Sequence, residues 1–307
     1  MAYQTGVTSS LSDLISTLLA FADANGFDLG PTGTYTGTGV SGSSGTFNIV
    51  SLVKNGIYYL FAQPTTGTTY LWMNTASSYA GGSTASWTGV HASWCRVDNL
   101  AGPHVGYHMF SDGSGVNVAV EIVTNVFAHF NFGELQKNGD YDGGQYVTGL
   151  CVQDINGTSL NSIDSMFNYV PFGVTSVGGN TQVSGSVRGH VRTPVSGPTS
   201  ALDRNVGTVT YNTAMADNSG RPLIRASPNA ANGRAVLVPI TLVQASNGMT
   251  GPFYQLGYVG NARCLNIANL QPKEVVNTDW MVFPVSQKNG PATTYINSAN
   301  YGIAYRK

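Results

Sequence analysis

Hydrophobic residues near the N-terminus recur with the spacing of one helix face. The stripe they form consists of Leu11, Leu14, Ile15, Leu18, Leu19 and Ala22. Steps of three residues and one residue along the chain are typical of an amphipathic helix. Ser10 and Asp13 predict its N-terminal cap, and Asn25-Gly26 predicts its end. We expect this helix either to pack across the sheet that follows or to dock into a partner subunit.

After a Gly/Thr/Ser tract at 30–45, the pattern changes to that of β-strands. The runs 46–53, 57–62 and 69–73 are rich in aromatic and β-branched residues, which favour strands. Asn55-Gly56 separates the first two runs and is a strong hairpin signal. The tract itself indicates either a loop or a flat, exposed pair of short strands.

The most regular alternation lies between residues 105 and 132. In 116–122, every second residue is Val or Ile. Asp112-Gly113 and Thr124-Asn125 supply turns on either side of this run. The pattern predicts three consecutive antiparallel strands with one apolar face, which together form a meander.

The second half of the chain divides into a loop-rich part and a strand-rich part. Gly, Ser, Asn and Pro dominate from 154 to 233, whereas strand character returns from 234 onward. The sequence therefore predicts a mainly β fold, an antiparallel β-sandwich-like core with one N-terminal amphipathic helix. We assign the helix and a Gly/Thr-rich arm to 1–45, the β core to 46–152 plus 234–307, and a loop-rich insertion to 153–233.

Charged residues are few. Asp, Glu, Lys and Arg make up 9 % of the chain, against roughly 25 % in ordinary soluble domains. Between residues 29 and 94 the single such residue is Lys54. A surface of this kind is either solvated by hydroxyl and amide groups or covered by neighbouring subunits. The formal net charge of −1 argues against nucleic acid or an anionic membrane as a partner.

Cysteine usage and hydropathy indicate where the chain is made. Cys95, Cys151 and Cys264 are too few for a disulfide scaffold, and we expect them to be small buried side chains in a protein made in a reducing cytosol. The N-terminus lacks the basic segment of a signal peptide. No run of about 18 apolar residues is present, so we expect no membrane insertion.

Histidines provide one metal hypothesis. His104 and His108 have the spacing of a zinc pair on a helix. The surrounding pattern predicts a strand instead, in which residues four apart lie about 13 Å from each other. His91 and His129 are further candidates for ligands in space, but no motif joins them to this pair. We therefore predict no metal site.

Carboxylates provide the second chemical hypothesis. Glu134, Asp140 and Asp142 lie in one segment, 132–144. Such a segment suits a calcium loop, a carboxylate pair for glycoside hydrolysis, or a hairpin connection that uses Asp and Gly as turn residues. The closing Glu of an EF-hand loop is missing, and this favours the hairpin connection.

Nucleophilic catalysis has no motif in this chain. No Gly-x-Ser-x-Gly elbow, P-loop or dinucleotide fingerprint is present. Ser184 and Ser186 can be combined on paper with His190 and Asp203 into a triad, but such coincidences are expected in a chain this rich in Ser. We predict no catalytic residue and no cofactor.

Tyrosines are a better indication of a binding surface. Tyr (16) exceeds Phe (12), and several tyrosines lie near turns. Aromatic rings with Asn and Ser nearby suit sugar rings or protein interfaces, although each ring alone is more often an ordinary strand residue. The candidate interface consists of the first helix and the uncharged stretch 29–94. Its residues are Leu11, Leu14, Ile15, Leu18, Tyr58, Tyr70 and Tyr79.

Three parts of the chain resemble virion structural proteins of tailed bacteriophages. The opening has their short polar lead, MAYQTGVT at 1–8, and one helix that ends in Asn-Gly plus an aromatic residue at 25–27. The middle has FNFGELQK and YDGG, and the end has RCLNI, DWMVFPV and YGIAYRK. The segment 154–233 has no counterpart in this resemblance.

The resemblance implies a virion protein assembled in the host cytoplasm, with a tail or baseplate role. We expect a homo-oligomer, such as a ring, trimer or collar-like component, that contacts neighbouring tail proteins. The alternative is a receptor- or glycan-binding module at the tail tip, which would use the insertion and its loops. A glycan depolymerase is a third hypothesis. The family has no catalytic residues to transfer to this chain.

Overall fold

The computed structural model describes most of the chain outside the predicted insertion. The described residues are 1–40, 44–67, 70–90, 94–97, 99–149, 186–187, 189–192, 235–245, 253–285, 287–288 and 301–307. Within them the chain is mainly β, with several antiparallel sheets and a single helix. The predicted mainly β, sandwich-like fold with one N-terminal helix is therefore confirmed.

The helix, α1, spans Leu11–Asp23 and is capped as the sequence predicts. The Ser10 hydroxyl accepts a hydrogen bond from the backbone N–H of Asp13 (3.2 Å). The chain then turns at Gly26, whose φ of +87° is accessible mainly to glycine. Five residues of the predicted apolar stripe are buried, Leu19 is partly buried, and Phe21 is buried in addition.

Twenty-one strands form the rest of the described fold. In chain order they are β1 (Ala2–Thr8), β2 (Asp28–Leu29), β3 (Gly33–Gly37), β4 (Gly45–Lys54), β5 (Ile57–Pro64), β6 (Leu71–Ala76), β7 (Ser78–Tyr79), β8 (Trp87–Thr88), β9 (Trp94–Val97), β10 (His104–Ser111), β11 (Gly115–Val123), β12 (Val126–Glu134), β13 (Gln136–Lys137), β14 (Gln145–Gly149), β15 (Ser186–Val187), β16 (Gly189–Val191), β17 (Val238–Ala245), β18 (Phe253–Asn266), β19 (Val275–Val276), β20 (Trp280–Pro284) and β21 (Tyr301–Arg306).

Three larger sheets organise these strands. The central sheet has the order β1-β10-β11-β12-β14-β16, and it contains the predicted meander. The N-terminal sheet has the order β15-β9-β6-β5-β4-β2, with β3 also paired to β4. The C-terminal sheet has the order β13-β18-β21-β20-β19, with β17 also paired to β18. Strands β7 and β8 form a small separate hairpin.

The central sheet is buried on both faces. Val116, Val118 and Val120 face a core shared with α1 and the N-terminal sheet. Phe110 and Phe127 face a second core shared with the C-terminal sheet. The prediction of one apolar face for the meander is therefore incomplete: the more polar face is also covered, by strands that follow more than a hundred residues later.

Two parts of the predicted domain division differ from the described pairing. The predicted arm at 1–45 contains β1, β2 and β3, which are strands of the core sheets. In the predicted insertion, β15 pairs with β9 and β16 pairs with β14. Backbone hydrogen bonds join these strands, and Val191 of β16 is buried in the core shared with the C-terminal sheet. The rest of 153–233 lies outside the described residues, and the domain boundaries remain predictions.

Candidate functional site

The four helix residues of the predicted interface lie inside the chain. Leu11, Leu14, Ile15 and Leu18 are each at most 5 % exposed and pack in the core between the N-terminal and central sheets. Of the two roles expected for this helix, the structure shows packing on the chain's own sheets. These four side chains are therefore not accessible to a partner in this conformation.

The three tyrosines of the predicted interface lie on or against the outer face of the N-terminal sheet, with Tyr79 on the separate β7–β8 hairpin. Tyr79 is buried there, whereas Tyr58 and Tyr70 are partly exposed. The guanidinium of Arg96 lies 4.5 Å from the centroid of the Tyr70 ring, a cation–π geometry. Tyr58 and Tyr70 are thus the predicted interface residues that a partner can reach.

Further aromatic side chains extend this surface, and the sequence prediction did not include them. The rings of Tyr35 and Trp87 are partly exposed and lie with their centroids 4.7 Å apart. Together with Tyr58 and Tyr70 they form what we call the aromatic face. Trp87 in turn contacts the buried ring of Trp94 (5.5 Å). The sequence offers one indication of these two residues. Tyr35 and Trp87 both lie in the stretch 29–94, and each follows a segment rich in Gly, Ser or Thr.

A polar cleft lies where connections of different sheets meet. Its volume is about 320 Å³, and it is lined by Asn55, Glu134, Leu135, Lys137, Asp142, Gly143 and Gln145. Asn55 comes from the turn between β4 and β5, Glu134 from the end of β12, and Gln145 from the start of β14. The cleft thus brings together the predicted hairpin turn of the N-terminal sheet and the carboxylate segment of the meander.

Side-chain amides hold the carboxylate of Glu134 in the cleft. Asn55 Nδ2 donates to Glu134 Oε1 (2.9 Å) and Oε2 (3.0 Å), and Gln145 Nε2 approaches Oε1 at 3.4 Å. Lys137 Nζ donates to the carbonyl of Tyr141 (2.7 Å) and lies 5.1 Å from its ring centroid. The lining therefore presents the side-chain amides of Asn55 and Gln145 and the carboxylate of Glu134. The nearby ammonium group of Lys137 already donates a hydrogen bond within the chain.

The carboxylate segment adopts more than a hairpin connection. Residues of β13 pair with β18 and so join the meander to the C-terminal sheet. The Tyr141 hydroxyl donates to the carbonyl of Leu256 (2.9 Å), and burial raises the pKa of Tyr141 to about 12. Glu134 and Asp142 both line the cleft, whereas Asp140 is exposed and does not. An arrangement of this kind can donate to and accept from hydroxyl groups.

The described histidines of the metal hypothesis lie on strands of the central sheet. His104 and His108 are both on β10, a strand, as the sequence predicts. Thr8 Oγ1 lies 2.8 Å from His104 Nδ1, and Tyr3 OH lies 2.9 Å from His108 Nδ1. Within the described residues, no group of three or more His, Cys, Asp or Glu side chains is arranged to hold a metal ion. His91 lies outside those residues.

His129 is a buried residue of the core. Its Nε2 lies 2.9 Å from the carbonyl oxygen of Pro284, which can only accept, and its Nδ1 lies 3.2 Å from Tyr305 OH. Burial lowers the pKa of His108 and of His129 to about 4. Both imidazoles are therefore neutral near pH 7 and serve as polar elements between the central and C-terminal sheets.

Several predicted features fall partly outside the described residues. Two residues of the Ser-His-Asp combination considered above, Ser184 and Asp203, lie outside the described residues. The same is true of Cys151. Cys95 and Cys264 are buried, as predicted. In the part of the chain that the structure describes, no helix has the length and hydrophobicity that crossing a membrane requires.

Comparison with known proteins leaves the geometry as the main guide to function. No protein-family model matches the chain, and no curated protein matches it at a significant level.

Proposed function

We propose that this chain is a structural component of a bacteriophage virion, in the tail or baseplate, that assembles as a homo-oligomer and contacts neighbouring tail proteins. One structural observation supports the proposal most directly. Strands β3 to β6 lie entirely within the stretch 29–94, in which Lys54 is the single charged residue, and they form most of one sheet, whose outer side carries the aromatic face.

The chemistry of the aromatic face suits burial against another protein. Cores of protein interfaces are depleted in charged residues other than Arg and enriched in Tyr, Trp and Arg. Tyr58, Tyr70 and Trp87 supply partly exposed rings, and Arg96 supplies a cation stacked on Tyr70. Covering these rings removes apolar area from water without stripping solvent from unpaired charges.

The single Lys of this stretch is already held within the chain. Lys54 Nζ donates to the carbonyls of Gly113 and Gly26, and it lies 4.6 Å from the centroid of the Phe27 ring. These contacts tie the β4–β5 turn to the central sheet and to the end of α1. Lys54 therefore does not place an unpaired charge on the aromatic face.

Light scattering across a concentration series tests the homo-oligomer. A fixed multiple of the 32.3 kDa chain mass is the expected result. Tyr70→Glu removes a ring from the aromatic face and places a carboxylate beside Arg96, and it is expected to lower the mass of the particle. Val275→Glu, at an exposed position of the C-terminal sheet, is the matched control. A wild-type monomer at every concentration contradicts self-assembly.

The alternative is a receptor- or glycan-binding module, and the cleft is the observation that favours it. Amide and carboxylate groups held in fixed positions match the hydroxyl groups of a neutral sugar. Saturable binding of the purified chain to cells or polysaccharide supports this alternative. Glu134→Gln is then expected to weaken binding, whereas Tyr70→Glu leaves it unchanged. Release of shorter saccharides that Glu134→Gln abolishes supports the depolymerase hypothesis instead.

A further inference from the structure

Strand β1 forms an open edge of the central sheet. It pairs with β10 through six residue pairs, from Ala2 with Ser111 to Thr8 with His104. In the described part of the chain, no strand pairs with its other side. Thr5 is exposed, and Val7 is 73 % exposed. Within the described residues, the outer backbone groups of β1 therefore have no strand partner.

The other edges of the described sheets are short or protected. Strands β2, β13, β15 and β19 have two residues each, and β16 has three. Short edge strands are one way in which proteins avoid pairing with other chains. Strand β17 is longer, but it contains Pro239 and two register shifts, which also hinder pairing.

Strand β3 is covered on its outer side. Thr34 N–H donates to the carbonyl of Gly82 (2.8 Å), and Ala85 N–H donates to the carbonyl of Thr34 (3.2 Å). These bonds satisfy backbone groups that a neighbouring chain would otherwise use. Of the edges in the described sheets, β1 is thus the long one without such cover.

The composition of β1 gives little protection against pairing. Its sequence, AYQTGVT, contains no charged residue and no Pro. One register shift lies between Gly6 and Thr8, so the stretch before it is regular. An edge strand of this length normally carries a Lys, a Pro or a covering segment.

We propose that the open edge of β1 pairs antiparallel with β1 of a second copy of this chain. The inference rests on the proposed homo-oligomer and identifies one of its contacts. In a two-fold pair residue i of one strand faces residue j of the other and j faces i, so a charge carried by the strand occurs on both sides of the contact. β1 has no charge, and self-pairing therefore causes no repulsion along the strand.

Neighbouring apolar residues extend the contact. Val105 is 47 % exposed and lies on β10 at the end of the β1–β10 ladder where the register shifts, next to the position of Val7. Two seven-residue strands alone bury less than the roughly 1,200–2,000 Å² of a stable interface. The valines add apolar area at the same edge, and the aromatic face provides a separate contact in a larger assembly.

Val7→Lys tests the edge directly. The exposed lysine adds a charge to the pairing strand of both copies, which disfavours edge-to-edge pairing, and we expect it to halve the particle mass measured by light scattering. Val275→Lys is the matched control, because Val275 is exposed on the two-residue strand β19. Circular dichroism checks that both variants fold, and Thr5→Lys repeats the test if Val7→Lys fails to fold.

The outcomes separate this inference from the proposed function. Half the mass in Val7→Lys, with an unchanged mass in Val275→Lys, supports pairing through β1. A Val7→Lys particle of wild-type mass overturns the pairing, while the oligomer itself stands and Tyr70→Glu then tests the aromatic face. A wild-type chain that is monomeric throughout overturns both.

Discussion

Acid is expected to destabilise this protein through two histidines buried between the same two sheets. His108 and His129 lie on β10 and β12, and both pair with Ala119 of β11 in the sheet register. Both contact the ring of Phe283, at centroid distances of 5.1 and 6.2 Å. Protonation of either ring therefore places a charge in the core between the central and C-terminal sheets.

The size of the effect follows from the two pKa values. Burial lowers the pKa of both rings to about 4 in the folded chain, whereas an unfolded His titrates near 6.5. Between these values the unfolded chain binds more protons than the folded chain, so stability falls as the pH falls and levels off below about pH 4. At about pH 5 the loss is about 2 kcal/mol for each ring.

Urea unfolding at about pH 8, 6 and 5 measures this loss. For both rings it amounts to about 4 kcal/mol, a large part of the 5–15 kcal/mol typical of a folded domain. His104 contributes with the same sign, because burial also lowers its pKa. In a His108→Gln/His129→Gln double variant, the fall in stability between about pH 8 and 5 is expected to shrink by most of that amount. An equal fall in the double variant and the wild type refutes the reasoning.

Three other predictions concern the packing of the core, the stability of the fold at alkaline pH and the cap of the helix. Phe283→Ala removes a fully buried ring and is expected to lower the free energy of unfolding in urea by about 3–5 kcal/mol. Val275→Ala, at an exposed site, is expected to have little effect, and equal losses in the two variants contradict the packing described. Because burial raises the pKa of Tyr79 and Tyr141 to about 12, stability is expected to fall as the pH rises from about 10 to 12, which tyrosinate absorbance and circular dichroism check together. Ser10→Ala removes the helix cap and is expected to cost about 1 kcal/mol, with Ser10→Thr retaining most of the stability.

The meander was predictable because its signal is local. Alternation in 116–122 and the turns around it predict strands that agree with β11 and its neighbours within about two residues. The burial of the second face was not predictable, because Asn117 and Glu121 resemble solvent-facing residues. Asn117 instead contacts Asn261 at 2.5 Å and Glu121 contacts Lys273 at 3.0 Å. A local pattern cannot reveal a polar partner more than a hundred residues away.

The candidate surfaces were predicted in part for the same reason. Tyr58 and Tyr70 stand out by residue type in an uncharged stretch, and both are accessible on the aromatic face. The helix stripe is equally apolar whether it packs on its own sheets or on a partner, so the pattern left both roles open. Glu134 and Asp142 share one segment, but their neighbour Asn55 comes from a distant hairpin turn and was recognised solely as a turn residue.

The pairing of β1 with β10 also constrains how the chain folds during synthesis. Because Thr5 pairs with His108, β1 cannot pair until about 100 further residues have been synthesised, which takes roughly 5–20 s at ordinary rates of translation. Strand β21 lies between β18 and β20, and the C-terminal sheet cannot close over Phe110 and Phe127 until β21 has been made. Such long-range pairing predicts slow folding and nascent chains that expose unpaired, aggregation-prone strands. The yield of native protein is therefore expected to depend on chaperones and on a low expression temperature.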